Sequence, residues 1–568
     1  MDLRLRRQFL TGLVKASALA LSTPYLMRMG HGQAVAQSAV PNQLRLDSER
    51  VFDLSVASGD PSPSGVILWT HLRRTAVTPG MPLYFQVATD GGFNNLVLEG
   101  EVPASAITAD HDWTVRVDLN GQLAAGTRYY FRFIYDATAS RTGRCRTLPT
   151  GHLASAQLAV LSCQDYTNGY YGAFRHLAAD DNVDFVLHLG DFIYESAADP
   201  RFQSLPFADR ELVLPSGETV AFGLEDYRYL YRTYRSDPDM QRLMEQHTLI
   251  IVQDDHETAN DCYWDYGLDT LGAPDHPLVA QPNALRALKL AAQQAWLEYV
   301  PARVDVNPDA QHPHDYFTMY RGFELGDLIR LNMIDTRTYR TAHPCGEGDV
   351  FQRYVPVGCT NYKHPDQSML GTNQAKWLLD SLEHSTAVWN VVGNQTFFGA
   401  LSIAGTLPLN VDAWDGYEAE RNWLTQQIVA RNVRNLVVLT GDLHSYIAST
   451  LKRDYRNLNP FDVGNLIGVE FMTPAVTSAG LLDQLTPDTI GANLANGLTE
   501  AAIRLNNPHI RYFNSSRHGY STVRFTRDYC EWTAYAVDKN VVGEHAARSV
   551  VARYRKYVSW PFLVERPI

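Results

Sequence analysis

DFVLHLGDFIYE (Asp184–Glu195) sets an apolar, strand-like run directly before a glycine, an aspartate and a tyrosine. A short apolar run bounded by a turn residue reads as a buried strand. Two further stretches share this grammar: LIIVQDDHE (Leu249–Glu257) and LVVLTGDLHS (Leu436–Ser445). Each leaves metal-ligating types just past a strand: Asp191 with Tyr194, Asp255 with His256, and Asp442 with His444. In open α/β sheets, groups at the carboxyl ends of strands converge on one crevice. The pattern predicts a multinuclear metal centre on an α/β framework.

Working outward, the runs Leu158–Ser162, Thr248–Val252 and Val388–Val392 alternate with helical stretches at Ala284–Tyr299 and Thr372–His384. This predicts a layered α/β domain over residues 155–555. Residues 45–148 read differently. Short strands at Val66–Trp69, Leu83–Ala88, Trp113–Leu119 and Arg128–Ile134 follow one another without helices, which predicts a small β-sandwich. A chain of 568 residues is long enough for both.

Residues 1–36 read as an export signal. Arg6-Arg7 precede an apolar core from Phe9 to Ser22, interrupted by Lys15, and the segment ends in Ala34-Val35-Ala36. The core is shorter than the roughly 20 apolar residues that a membrane span needs, so no transmembrane span is expected in the mature chain. The expected route is the twin-arginine machinery, which carries folded, metal-loaded proteins, and the expected location is periplasmic or secreted. The net charge of −13, without a basic stripe, argues against a nucleic-acid partner. Six cysteines fit an oxidising compartment, and Cys345 with Cys359, flanking a loop rich in glycine and proline, make the best local pair.

The individual residues carry the chemistry as follows. Asp191 can bridge two cations through its two oxygens, and Tyr194 offers a hard phenolate suited to ferric iron. Asp255 can take a metal, with His256 acting as general acid toward a leaving alkoxide; a helix cap at Asp254 or Asp255 is the plainer reading, but it accounts for one aspartate and not for the second plus the histidine. Asp442 and His444, two apart in extended backbone, are expected to face one side. Cys163 ends a strand in LAVLSCQDY and can serve as a thiolate ligand. Asn394 or Gln395, in GNQTFF, can offer an amide oxygen to a hard cation.

The strings SCQDY, GDFIYE, DDHE and GDLH, in that order, resemble the PhoD-type alkaline phosphatases of the metallophosphatase superfamily. VASGDP at Val56, MIDTR at Met333 and DAWDGY at Asp412 extend the resemblance over residues 50 to 530 or so. It implies an immunoglobulin-like β-sandwich domain before a catalytic αββα sandwich, and a centre of ferric iron plus calcium. It places Cys163, Asp191, Tyr194 and His444 around iron. Asp191, Asp255, Asp442 and an amide from Gln395 or Asn394 then serve calcium. Relative to the wider purple-acid-phosphatase pattern, Cys163 stands where an aspartate is expected and Asp442 where a histidine is common.

The implied activity is an exported phosphomonoesterase or phosphodiesterase acting on small phosphate esters by attack of activated water. A phospholipase D-type enzyme for envelope phosphodiesters is the alternative. Arg175, Arg337 and Arg340 are candidates for holding substrate oxygens. A binding module with a closed structural metal is a different class, and His256 beside the ligands speaks against it. Iron-dependent oxidation would want a histidine-rich facial triad, which these strings lack.

Overall fold

A computed structural model describes residues 26–28, 43–197, 207–348, 350–403, 405–457, 459, 461–480 and 489–568. The twin-arginine segment, Leu26–Arg28 apart, lies outside the described residues. Seven strands carry the site, labelled β1 (Ser155–Leu161), β2 (Phe185–His188), β3 (Thr248–Ile251), β4 (Ile329–Met333), β5 (Trp389–Gly393), β6 (Leu436–Thr440) and β7 (Leu466–Met472). They are rich in Val, Ile and Leu, and most of their residues are buried, as parallel strands covered on both faces require.

The strands belong to two sheets. In an eleven-stranded sheet β3, β2 and β1 lie side by side and parallel, and the antiparallel strands Gly519–Thr526, Tyr529–Val537, Arg548–Tyr557 and Trp560–Glu565 continue outward from β1. In a seven-stranded sheet β4, β5, β6 and β7 run parallel in that order. Side-chain alternation divides the second sheet between two cores. Leu331, Val391, Val437 and Leu439 pack into one core with Val160, Leu187 and Ile250 of the larger sheet. Val392, Leu436 and Val438 pack with Leu378, Leu379, Leu424 and Ile428 of helices α1 (Gly371–Glu383) and α2 (Glu418–Ala430). The molecule is a mixed α/β fold with several sheets.

The first segment departs from a free-standing sandwich. Its strands do form two sheets around one core, with Phe85, Val87, Phe131 and Phe133 against Val66, Leu68, Val115 and Val117. One of those sheets is not separate, however. Val56–Ser62 pairs in parallel with β3, through Ser58 opposite Thr248 and Gly59 opposite Leu249. The sandwich strands therefore prolong the sheet that bears the site, which covers what would otherwise be an open edge. Alternating hydrophobicity reports which face of a strand is buried and is silent about a partner about 190 residues away.

Buried carboxylates brace the strand ends. Glu470 of β7 accepts from Thr440 Oγ1 at 2.6 Å and from the N–H groups of Phe398 and Gly399 at 2.8 Å, tying the end of β6 to the turn after β5. Burial pushes its carboxyl up to about 7. With the folded pKa above the unfolded one, the folded state binds the extra proton, so Glu470 stabilises most fully below about pH 4.5. That contribution is lost as pH rises through about 7. The expected outcome for Glu470→Gln is a flatter dependence of unfolding free energy on pH between about 4.5 and 7, by a few kcal/mol at most. Denaturant titrations across that window check it.

Candidate metal centre

All the strand-end residues lie beyond the carboxyl ends of β1, β2, β3 and β6, on one side of the paired sheets. Four of them adopt left-handed backbone: Cys163 (φ 58°), Asp191 (φ 55°), Asp442 (φ 65°) and His444 (φ 51°). Such conformations cost non-glycine residues about 1–2 kcal/mol each and persist only where the surroundings hold them. The holding groups are present. The Cys163 carbonyl accepts from Val476 N, Thr477 N, Ser478 N and Ser478 Oγ. Glu257 accepts from Asp191 N (3.1 Å), Phe192 N (2.6 Å) and Asp254 N (2.7 Å), locking the β2 and β3 loops together. Gly190 (φ 109°) lets those loops touch, since a Cβ there would sit 2.4 Å from the Asp254 Cβ.

Three sets of donors result, each with its ligand atoms within 4.8 Å of one another: Cys163, Asp191 and His444; Asp191, Asp255 and His256; and Asp254, Asp255 and Asp442. Asp191 is shared by the first two and Asp255 by the last two. Tyr194 joins the first set: its hydroxyl donates to Asp191 Oδ2 at 3.1 Å and lies 3.2 Å from His444 Nε2. His444 Nδ1 donates to the Ala479 carbonyl at 2.6 Å, which leaves Nε2 unprotonated and facing the cluster. Among these side chains Asp442 and His444 are half-buried and the rest are buried, so the centre opens on the β6 loop.

The electrostatics are those of a pocket short of positive charge. Burial, then the charge of Asp191, pushes the Cys163 thiol well up. The same two causes raise Tyr194. Burial raises Asp191, reinforced by Asp255, Asp254 and Glu257 and opposed by His256. Burial and Asp254 raise Asp442 against the pull of Arg337. His444 is pushed down to about 4 by burial. His256 goes the other way: burial opposes its charge, but Glu195, Asp255 and Asp191 together hold it protonated well above the usual histidine range. Two buried carboxylate oxygens, Asp191 Oδ1 and Asp254 Oδ2, have no hydrogen-bond partner. Orphaned anionic oxygens beside a thiol, a phenol and an unprotonated imidazole are the donor set that a cation pair requires.

Several expectations need correction. Asp442 and His444 do not share a side. The left-handed backbone between them sends His444 toward Cys163 and Asp442 toward Asp254 and Asp255. Arg175 is far from the centre in bonding terms: it pairs with Asp239 at 3.2 Å and Glu544 at 3.1 Å on the protein surface. Arg337 is inside the centre but is not an open grip for substrate. Fully buried, it holds Asp254 (2.5 Å), Asp412 (2.9 Å) and Asp442 (2.9 Å), with Asp255 at 3.5 Å. The amides are also engaged. Gln395 Oε1 accepts from Thr336 N and Oγ1 while its Nε2 donates to Ile334 O. Asn394 Oδ1 accepts from Trp414 Nε1 and its Nδ2 bonds Thr396 O.

Three residues escaped the sequence reading. Asp254, read as a cap, joins the oxygen-rich set. Glu257 is the brace described above. Glu195 accepts from His256 Nδ1 at 2.7 Å and from Asn260 N at 2.7 Å, and the His256 ring lies 4.0 Å from that of Tyr194, tilted by 30°. The signal for Asp254 and Glu257 was their place in QDDHE at a strand end.

Comparison with known proteins matches residues 158–534 to the PhoD-like phosphatase family model and residues 37–149 to the PhoD-like phosphatase N-terminal domain. Alkaline phosphatase D of Bacillus subtilis (strain 168) is 31% identical over 570 residues, which covers 97% of this chain and 87% of that protein. A solved structure of PhoD superposes with a TM-score of 0.75 at 28% identity, covering 92% of this chain and 93% of that one.

Arg337→Met is expected to leave buried carboxylates without their fixed counter-charge and to cost about 3 kcal/mol or more of stability in chelator. Added calcium should restore part of the unfolding midpoint in the variant. A midpoint equal to that of the unaltered chain in chelator contradicts this.

Proposed function

The chain belongs to the PhoD-like phosphatase family, and from that premise we propose that it hydrolyses phosphate esters at a centre of ferric iron and calcium after twin-arginine export. The observation that carries the reading is the convergence of three overlapping donor sets from four strand ends, with orphaned oxygens on Asp191 and Asp254. Thiolate, phenolate and imidazole from Cys163, Tyr194 and His444 suit ferric iron, with Asp191 between the two halves. The all-carboxylate set of Asp254, Asp255 and Asp442 suits calcium. Asp254 here takes the place expected for Gln395 or Asn394. The exported location rests on Arg6-Arg7 and Ala34-Val35-Ala36 in the sequence. The finer description of the fold, an αββα sandwich after an immunoglobulin-like domain, is supported by the shared core between the two site-bearing sheets and by the core between the sheets of the first segment.

Bound cations would supply Lewis-acid activation of water and neutralise charge gathering on the phosphate oxygens. The chain's own groups do the rest. Asp442 and His444, on the open side, mark where the ester enters. His256, whose charged form Glu195, Asp255 and Asp191 favour in the chain without cations, protonates the leaving alkoxide or holds its oxygen. Glu195 fixes the ring by committing Nδ1. Arg337 keeps Asp254, Asp255 and Asp442 apart yet aligned, which preorganises their oxygens.

Rates on p-nitrophenyl phosphate, bis-p-nitrophenyl phosphate and phosphatidylcholine vesicles, before and after EDTA, test the reading. Turnover of the mono- or diester is expected, abolished by chelation and reduced on the order of a thousandfold by Asp191→Asn. Activity on phosphatidylcholine alone, or hydrolysis indifferent to both chelation and Asp191→Asn, overturns it.

A further inference from the structure

The bond between Cys345 and Cys359 closes a loop over a separation of 14 residues, and side chains at both of its ends reach inward. Arg353, buried, donates to Asp261 Oδ2 at 2.9 Å and Asp275 Oδ2 at 2.7 Å. Next to it the Tyr354 hydroxyl donates to Asp261 Oδ2 at 2.6 Å. Asp261 holds left-handed backbone (φ 53°), which aims its N–H at Asp255 Oδ2, 2.6 Å away. The other end begins at His343, two residues before Cys345. Its ring bonds Glu347 within the loop at 2.6 Å and Asp412 outside it at 2.8 Å. Asp412 in turn accepts from Arg337, whose guanidinium reaches Asp254 and Asp442. A backbone bond from Val411 N to Tyr354 O at 2.9 Å joins the two relays.

Between them the relays end on three carboxylates, Asp255 for the first and Asp254 and Asp442 for the second. No bond in either leads to Cys163, Tyr194 or His444. We propose that the disulfide-closed loop is a positioning strap for the oxygen-rich half of the centre, in which Arg353 and Tyr354 set Asp255 through Asp261 while His343 sets Asp254 and Asp442 through Asp412 and Arg337. The proposal rests on the metal reading above. A covalent bridge removes alternatives from the loop, so the inward groups are presented in one arrangement. Hydrogen bonds that orient ligands from behind change metal affinity or activity by about 10–100-fold when removed. Arg353, Tyr354 and His343 are accordingly positioning residues, none of which touches substrate.

The test uses the full chain as exported, with Tyr354→Phe, Arg353→Lys and the double variant Cys345→Ser with Cys359→Ser. Calcium chloride is titrated calorimetrically into chelator-stripped protein, iron content is measured in the protein as isolated, and unfolding midpoints are taken in chelator. Tyr354→Phe and the double variant are expected to bind calcium about 10-fold more weakly, with iron content unchanged and kcat recovering as calcium is raised. Arg353→Lys, which keeps the charge but not the fork, should fall between them and the unaltered chain. Calcium affinity within twofold of the unaltered chain in Tyr354→Phe overturns the strap, as does loss of iron in step with calcium, the signature of general loosening. An unaltered chain that takes up no calcium overturns it too. Should the double variant fail to fold, Tyr354→Phe decides. If calcium binding weakens as expected in a chain that hydrolyses no phosphate ester, the strap stands and the phosphoesterase reading fails; unaltered affinity in a hydrolytically active chain sinks the strap alone.

Discussion

Too many buried anions meet in one place, and the rest of the structure is arranged around that fact. Asp191, Asp254, Asp255 and Glu257, all buried, are gathered with half-buried Asp442, a thiol and a phenol. The fixed positive charges among them are Arg337 and a protonated His256. Burying a carboxylate without compensation is among the costliest things a fold can do. The remedy is local and directional. Arg337 spans the oxygen-rich half, and His256, with Glu195 behind it, lies between the halves with its ring against that of Tyr194.

The backbone shows the same arrangement from another side. Cys163, Asp191, Asp442 and His444 all sit in left-handed conformations that their side chains disfavour. Four such residues at three strand ends are held there by Glu257, by the amides of Val476, Thr477 and Ser478, and by a glycine that lets the β2 and β3 loops touch. Strain concentrated in one spot and secured by braces is how a fold keeps ligands rigid. The prolonged sheet, running from the first segment through β3 to β1, supplies the stiff base for those braces.

Much of this was legible in the sequence. Buried strands ending in Gly190-Asp191 and Gly441-Asp442 announce where the candidate ligands are, because strand ends and glycine turns are local features. What stayed hidden depends on backbone dihedrals or on distant partners. The left-handed turn at Asp442 separates it from His444, and no period-two rule foresees that. Asp254 looks like a cap until Arg337, 83 residues on, is seen bonded to it. Gln395 looks like a ligand until Thr336 is found occupying its oxygen. Arg175 fails for the same reason in reverse, its partner Glu544 lying 369 residues away. The continuity of the first segment with the site-bearing sheet belongs to this class as well, since Gly59 and Leu249 meet only in the folded chain.

The central claim is that the buried anions exist to hold cations. Elemental analysis of the purified chain, by inductively coupled plasma mass spectrometry, tests it most directly. The account predicts about one iron per chain accompanied by calcium, with both lost when Asp191 is replaced by asparagine. A chain that carries no metal and still turns over phosphate esters would contradict it.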